Sequence, residues 1–403
     1  MSRVDDERDR QVERMVRDPV TRRRLMQRGA AGALGASALA YLAACGPRTG
    51  GALQSAGEES DVIPKGKISD SLYFANWPLY IDEKRDTLKK FQKEYGTKVK
   101  YVEEINDNQE FFGKVRQQYA QGDSGGRDIH VVTDWMAGRM IRLGYVQRFD
   151  PAQMITAQQN LIDRLRTPPF DPGRDYSMPW QSGFGGIIYR KDLVKREPKS
   201  VDDLFDPDYK GKVTMLTEMR DTVGVVAAGL GYDPEKATLD QFLETIDKIG
   251  QASESGQIRG FTGNEYTKDI TKGDSVILIG WSGDAVQLEA DNPNIKFAAP
   301  ETGVHLWTDN MQIPVGAPHA YTAEKMIDFV YRPEIQADIA EYVNYICPVE
   351  GVQEILEKRS PELARNQLIF PDEATLSDAF IFRELKPDEE RQLDEAFQKV
   401  IGA

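Results

Sequence analysis

Acidic and aromatic residues recur together at a few places in this chain. Trp77 and Tyr80 follow "LYFAN", and Thr133, Asp134 and Trp135 follow "IHVV". Thr217, Glu218 and Asp221 follow "KVTML", while Trp281 and Asp284 follow "VILIG". In "VHLWTDNMQIP", Trp307 and Asp309 stand two residues apart, so on a strand they share one face. Ring faces attract cations and pack against methylene groups. Carboxylates hold ammonium groups through charge-assisted hydrogen bonds. Both features together suit a flexible alkyl chain carrying two or more ammonium groups. Each residue alone has a plainer reading. A Trp at a strand end is more often core, and an Asp in that place caps the next helix, as expected for Asp134. Glu218 and Asp221 would suit the first turn of a helix, where acids oppose the dipole. Repetition at several strand ends is what favours a shared site.

The segments that must position these residues alternate between strand and helix. Strands are expected at "SLYFANW", "TKVKYVEE", "RDIHVVTDW", "KVTMLTE", "DSVILIGW", "IKFAAP" and "HLWTDNMQIPV", with helices over 82–95, 108–121, 235–251, 322–331 and 333–346. This alternation predicts an α/β fold with a parallel or mixed sheet covered by helices on both faces. Open sheets of that kind bind ligands outside the carboxyl ends of their strands, where the acids and rings fall. Nucleophile chemistry finds no support: "GWSGD" (280–284) ends in Asp284 where an elbow needs Gly. "SGFGG" (182–186) lacks the Lys-Ser/Thr of a phosphate loop and reads as a hinge or tight strand entry. The chain has 3 His and 2 Cys without metal-ligand spacing, so neither metal nor cofactor is expected.

The net charge of −14 argues against nucleic acid as a partner. Basic residues at Arg22, Arg23, Arg24 and Arg28 precede an uncharged, Ala- and Gly-rich run, Gly29 to Ala44. That run is too short for a membrane span and suits an export signal, 1–44, whose paired arginines resemble a twin-arginine type. "LAAC" at 42–45 looks like a lipobox, which implies lipid on Cys45 and attachment to the outer face of a bacterial membrane. Residues 45–68 read as a flexible tether. With Cys45 so used, Cys347 has no disulfide partner and reads as a small packing residue.

Collinear stretches carry a family likeness. "LYFANWPLYID", "FQKEYGTKVKYVEE", "RDIHVVTDWMAGRMIRLGYVQRFD", "FDPGRDYSMPWQSGFGGIIYRKDL", "LIGWSGDA", "LWTDNMQIP" and "YRPEIQADIAEYVNYICP" resemble the bacterial spermidine- and putrescine-binding receptors of ABC transporters. The likeness covers nearly all of residues 70–350. It implies a periplasmic-binding-protein-like fold of two α/β lobes, mapped to 69–183 plus 308–352 and 184–307 plus 353–403, with hinge crossovers and a ligand cleft. It also implies a monomer that closes on a polyamine and presents it to a permease, without covalent chemistry. Carried over by position, Trp77, Trp281 and Trp307 would line the methylene chain, with Tyr80 and Tyr345 beside them. Asp309 would pair one amine, and Glu218 with Asp221 another. Thr133 and Trp135 fall at ligand-contacting positions, and "WSGD" makes Asp284 a further amine ligand. Pro78 and Leu79 depart from the family, standing where relatives carry polar or acidic residues. Arg383 stands nearest to a Gln that contacts ligand in some relatives. Two alternatives are a different organic cation on the same fold, and a secreted hydrolase using the same acids.

Overall fold

The computed structural model describes residues 62–402, so the export signal, Cys45 and most of the tether lie outside the described residues. The tether's expected end is already part of the fold. Val62 forms a bridge with Arg148, Ile63 is buried, and its N–H donates to the Arg148 carbonyl at 2.9 Å. Among the described residues no helix is long and apolar enough to cross a membrane.

Two parallel groups of strands stand on either side of two long ones. The first group is β1 (Ser71–Asn76), β2 (Lys98–Glu103) and β3 (Ile129–Thr133). Crossover helices α1 (Asp86–Tyr95) and α2 (Asn108–Tyr119) join them. Helix α1 starts later than the expected residue 82. The Asp82 carboxylate accepts the backbone N–H groups of Asp86 and Thr87, satisfying donors that the first turn leaves free. On α2, Phe111, Val115 and Tyr119 recur every four residues and are buried, the apolar stripe that docks a helix on a sheet. Helix α3 (Asp134–Arg142) follows β3 directly.

The long strand β4 (Met178–Arg190) leads to the second group, β5 (Val213–Leu216), β6 (Ile258–Thr262) and β7 (Ile277–Trp281). Helices α4 (Met219–Gly229), α5 (Leu239–Glu254) and α6 (Tyr266–Lys272) connect these strands, and α7 (Ser282–Asp291) follows them. Strands β8 (Ile295–Ala298) and β9 (Val304–Gln312) come next, then helices α8 (Ala320–Val330) and α9 (Pro333–Val343). The short β10 (Ala379–Phe380) and helix α10 (Pro387–Ile401) end the fold. The sheet order is β2-β1-β3-β9-β4-β7-β5-β6, with β10 beside β9 and β8 beside β4.

Strands β4 and β9 run antiparallel to each other and link the two parallel groups. One end of β9 pairs with β3 (Thr133 opposite Asp309), and the far half of β4 pairs with β7 (Gly185 opposite Trp281). A register shift in β4 between Pro179 and Gln181 adds local bend at this crossing. "SGFGG" thus lies within β4 as part of a continuous strand, at the crossing of the two groups. Its glycines serve close packing. A Cβ on Gly183 would lie 2.5 Å from the Trp307 ring, and one on Gly186 would lie 2.6 Å from the Phe297 ring. The open strand surface lets both rings lie against it. Gly186→Ala should therefore overpack this contact and lower stability by about 1–3 kcal/mol. Denaturant unfolding checks this, and an unchanged midpoint would show that Phe297 moves aside freely.

Candidate functional site

The carboxyl ends of the parallel strands converge on one cleft. Its walls are Trp77, Pro78 and Tyr80 after β1, Thr133 at the end of β3, Glu218 and Asp221 after β5, Trp281 at the end of β7 with Asp284 beyond it, Trp307 and Asp309 on β9, with Tyr345 and Asn264. The space between its walls, partly open to solvent, is about 400 Å³. The four carboxylates face it, and among the described residues no Lys or Arg lines it.

Each carboxylate is held from behind. Asp309 accepts hydrogen bonds from the Thr133 hydroxyl at 2.7 Å and the Tyr80 hydroxyl at 3.0 Å. Asp284 accepts from the Tyr266 and Tyr345 hydroxyls, both at 2.6 Å. Glu218 accepts from the Asn108 backbone N–H at 2.6 Å and from its side-chain amide at 2.7 Å. Asp221 accepts from the Trp281 indole N–H at 3.1 Å and lies 3.2 Å from His305 Nδ1. The aromatic rings form a chain around the space. Trp77 meets Trp281 edge-on at 6.1 Å, Trp281 meets Trp307 at 6.5 Å, and Tyr345 touches both Trp307 (5.4 Å) and Tyr80 (5.3 Å). The Trp77 indole N–H is anchored to the Val131 carbonyl at 3.1 Å. Trp180 lies beneath, its indole N–H donating to the Tyr80 carbonyl at 3.1 Å.

Every residue expected to contact ligand lines this cleft except Trp135, and neither Thr217 nor Asp134 reaches it. Helix α3 begins at Asp134, so the chain turns about 100° per residue there and carries Trp135 out of the row. Its ring instead lies under the Arg220 guanidinium, 3.6 Å from the ring centre, and 5.0 Å from that of Arg139. Asp134 makes no side-chain cap either; it accepts from the Asn310 amide at 2.7 Å, and Thr133 is the capping position. Pro78 lines the cleft while Leu79 is 45% exposed, at a left-handed φ of 56°. Arg383 lies outside the cleft and pairs with Glu389 at 3.0 Å. Cys347 is buried, and burial pushes its thiol up to about 12.

Sequence reading missed Asn264, Asn108, Tyr266 and His305. Only His305 carried a signal, because it shares a strand face with Trp307 and Asp309. The two halves also touch across the cleft. Asn264 donates to Asn106 at 3.1 Å, and Arg139 meets Glu390 at 2.9 Å while Arg220 meets the same carboxylate at 2.6 Å.

This architecture now meets its relatives. The chain matches the bacterial extracellular solute-binding protein family over residues 86–371. The chain belongs to that family. It is 26% identical over 317 residues to the spermidine/putrescine-binding periplasmic protein of Salmonella typhimurium, covering 77% of this chain and 85% of the relative. It is 27% identical over 354 residues to a putrescine-binding periplasmic protein of Escherichia coli, covering 82% and 91%. The solved substrate-binding protein of a Streptococcus pneumoniae spermidine/putrescine ABC transporter superposes with a TM-score of 0.67 at 26% identity, covering 82% and 98%. The fold is accordingly the two-lobed α/β arrangement of periplasmic binding proteins, and the named relatives are solute-binding proteins.

Burial sets the protonation of the cleft. It pushes the Asp309 carboxyl up to about 7, against the pull of Thr133 and Tyr80. Burial also raises Asp284, and it raises Glu218 well above the usual range with help from Asp107 and Asp221. A folded carboxyl above its unfolded value of 3.8 takes up a proton on folding. Through Asp309, the empty protein should therefore lose stability as pH rises from about 4 to about 7. A bound ammonium group favours the ionised form and expels that proton, so affinity for a cation should rise as pH climbs through 7. Calorimetry in buffers of different ionisation enthalpy should show net proton release on binding. A binding enthalpy independent of buffer would rule out protonated acids in the empty cleft.

Proposed function

We propose that this protein captures a polyamine, putrescine or spermidine, and delivers it to the permease of an ABC importer. The observation that carries this reading is the cleft itself: four carboxylates, a ring of aromatic side chains and no cation lining it. Unpaired buried carboxylates are unstable until a cation joins them, and two or more ammonium groups on an alkyl chain meet both acids and rings. The names of the relatives support the same chemistry.

The mechanism we infer is capture followed by hinge closure, with no covalent step. The lobes would comprise 69–183 plus 308–352 and 184–307 plus 353–403, meeting at β4 and β9. Trp77, Trp281 and Trp307 would hold the methylenes. Asp309 and Asp284 would each take an ammonium group, with Glu218 and Asp221 completing the negative wall. Export, lipid attachment at Cys45 and action as a monomer on the outer membrane face belong to the same proposal, supported by the "LAAC" stretch. A Cys45→Ser variant should leave the membrane fraction and appear in the soluble extracytoplasmic fraction; retention at the membrane would refute the anchor.

A ligand that binds only the folded state raises its melting temperature by mass action. Putrescine, spermidine or spermine at millimolar concentration should do so, and no shift with any of them would end the polyamine assignment. Asp309→Asn should weaken binding by roughly 10–100-fold, as expected for one charge-assisted hydrogen bond. The same variant should not lower the stability of the empty protein at pH 8, because it removes an unpaired buried charge. Unchanged affinity would take Asp309 out of the site.

A further inference from the structure

A second and larger chamber adjoins the cleft, sharing Thr133, Asp221 and Trp307 as common walls. The space between its walls, partly open to solvent, is about 1330 Å³. The sign of its lining is reversed. Five arginines line it, Arg142, Arg164, Arg174, Arg220 and Arg383, where the first chamber has none. Its acids are already engaged: Glu390 by Arg220 and Arg139, Glu384 by Arg142 at 3.3 Å, and Asp134 by the Asn310 amide. Asp221 is held by Trp281 and faces His305.

Two of the arginines have no carboxylate within ion-pair distance among the described residues. Arg174 is 6% exposed, and its guanidinium donates to neutral oxygens, those of Asn310 (2.7 Å), Ser177 (3.1 Å) and the Leu165 carbonyl (2.7 Å), while the Asp134 and Asp171 carboxylates act on it from beyond ion-pair distance. Arg164 stands next to Leu165 in sequence and forms no side-chain hydrogen bond or ion pair there. Two buried donors on walls of this chamber also lack acceptors, Arg220 Nη1 and Trp307 Nε1. An ammonium group has donors only, so it can satisfy neither of them and meets guanidinium charge besides. A carboxylate supplies acceptor lone pairs and the opposite charge.

We propose that the second chamber is a subsite for a carboxylate on the same ligand. The subsite would favour amines that also carry an acid, at the far end or on an acyl group of the far amine, beside the unmodified polyamines that occupy the first cleft alone. This rests on the amine-binding half of the function proposed above and names which amines are preferred. The ammonium end lies among Asp309, Asp284 and the aromatic rings. The chain passes Thr133 and Trp307, and the carboxylate reaches Arg164 and Arg174.

The test is calorimetric titration of the wild-type protein with a homologous series of α,ω-amino carboxylates against diamines of the same lengths. At the lengths that span both chambers, the amino carboxylate should bind tighter by about tenfold, the worth of one charge-assisted hydrogen bond. Arg164→Gln, a change at an exposed position in the short 3-10 turn Asp163–Leu165, should erase that preference. Diamines binding tighter at every length would overturn the subsite and leave the polyamine reading standing. A preference that survives Arg164→Gln would overturn its placement in this chamber. Failure of both series to bind would instead end the amine-binding reading itself.

Discussion

Four buried carboxylates without a cation among them impose the constraint around which this fold is organised. Desolvating even one ionised carboxylate costs on the order of several kcal/mol unless it is paired or hydrogen-bonded. The protein meets that cost partly with donors and partly with protons. Tyrosine, threonine and asparagine donors satisfy the oxygens without neutralising the charge, and burial keeps Asp309 near a pKa of about 7. A lysine or arginine would neutralise the acids more completely, but it would also occupy the place of the ligand. The second layer of the site is therefore neutral, and the acids remain without a countercharge that a cationic ligand would supply.

That arrangement depends on the crossing of β4 and β9. Asp309 belongs to β9, yet its hydroxyl partners Tyr80 and Thr133 follow β1 and β3. Asp221 begins α4 on the other side and is held by Trp281 and faces His305 of β9. Glu218 reaches from α4 to Asn108 at the start of α2. Asp309 is thus satisfied by residues far away in sequence, whereas the bonds from Asn108 to Glu218 and from Tyr345 to Asp284 join the two proposed lobes. A movement of those lobes against each other would break these contacts and leave the donors to Asp309 in place.

The strand ends were legible because a simple rule links sequence to position. A run such as "VILIG" can only be a buried strand, and the residues that follow it must emerge at its carboxyl edge. Trp77, Glu218, Trp281 and Asp284 became visible in that way, and the period of two joined Trp307 to Asp309. Trp135 shows where the rule stops: one residue of helix is enough to rotate a side chain out of the row. Asn264 and Asn108 carried no local mark, since their roles come from the approach of two halves distant in sequence. The long strand β4 was obscured by its glycines, which weaken strand propensity while serving the packing of Trp307 and Phe297. The arginines of the second chamber are scattered from Arg142 to Arg383, and no spacing rule gathers them.

Their gathering has a physical consequence for the cleft. Arg220 lies over the Trp135 ring and shares Glu390 with Arg139, which draws α3, α4 and α10 together at the edge of both chambers. Positive charge is thereby held beside the negative chamber without entering it. The lining changes from acidic in the first chamber to arginine-rich in the second, and Trp307 stands at the boundary as a wall of both. A molecule with one charge sign throughout gains attraction in only one chamber, whereas an amine with an acidic end gains it in both. On the proposed carboxylate subsite, selectivity would follow from the order of charges along the ligand, with its length setting whether both ends can be reached at once.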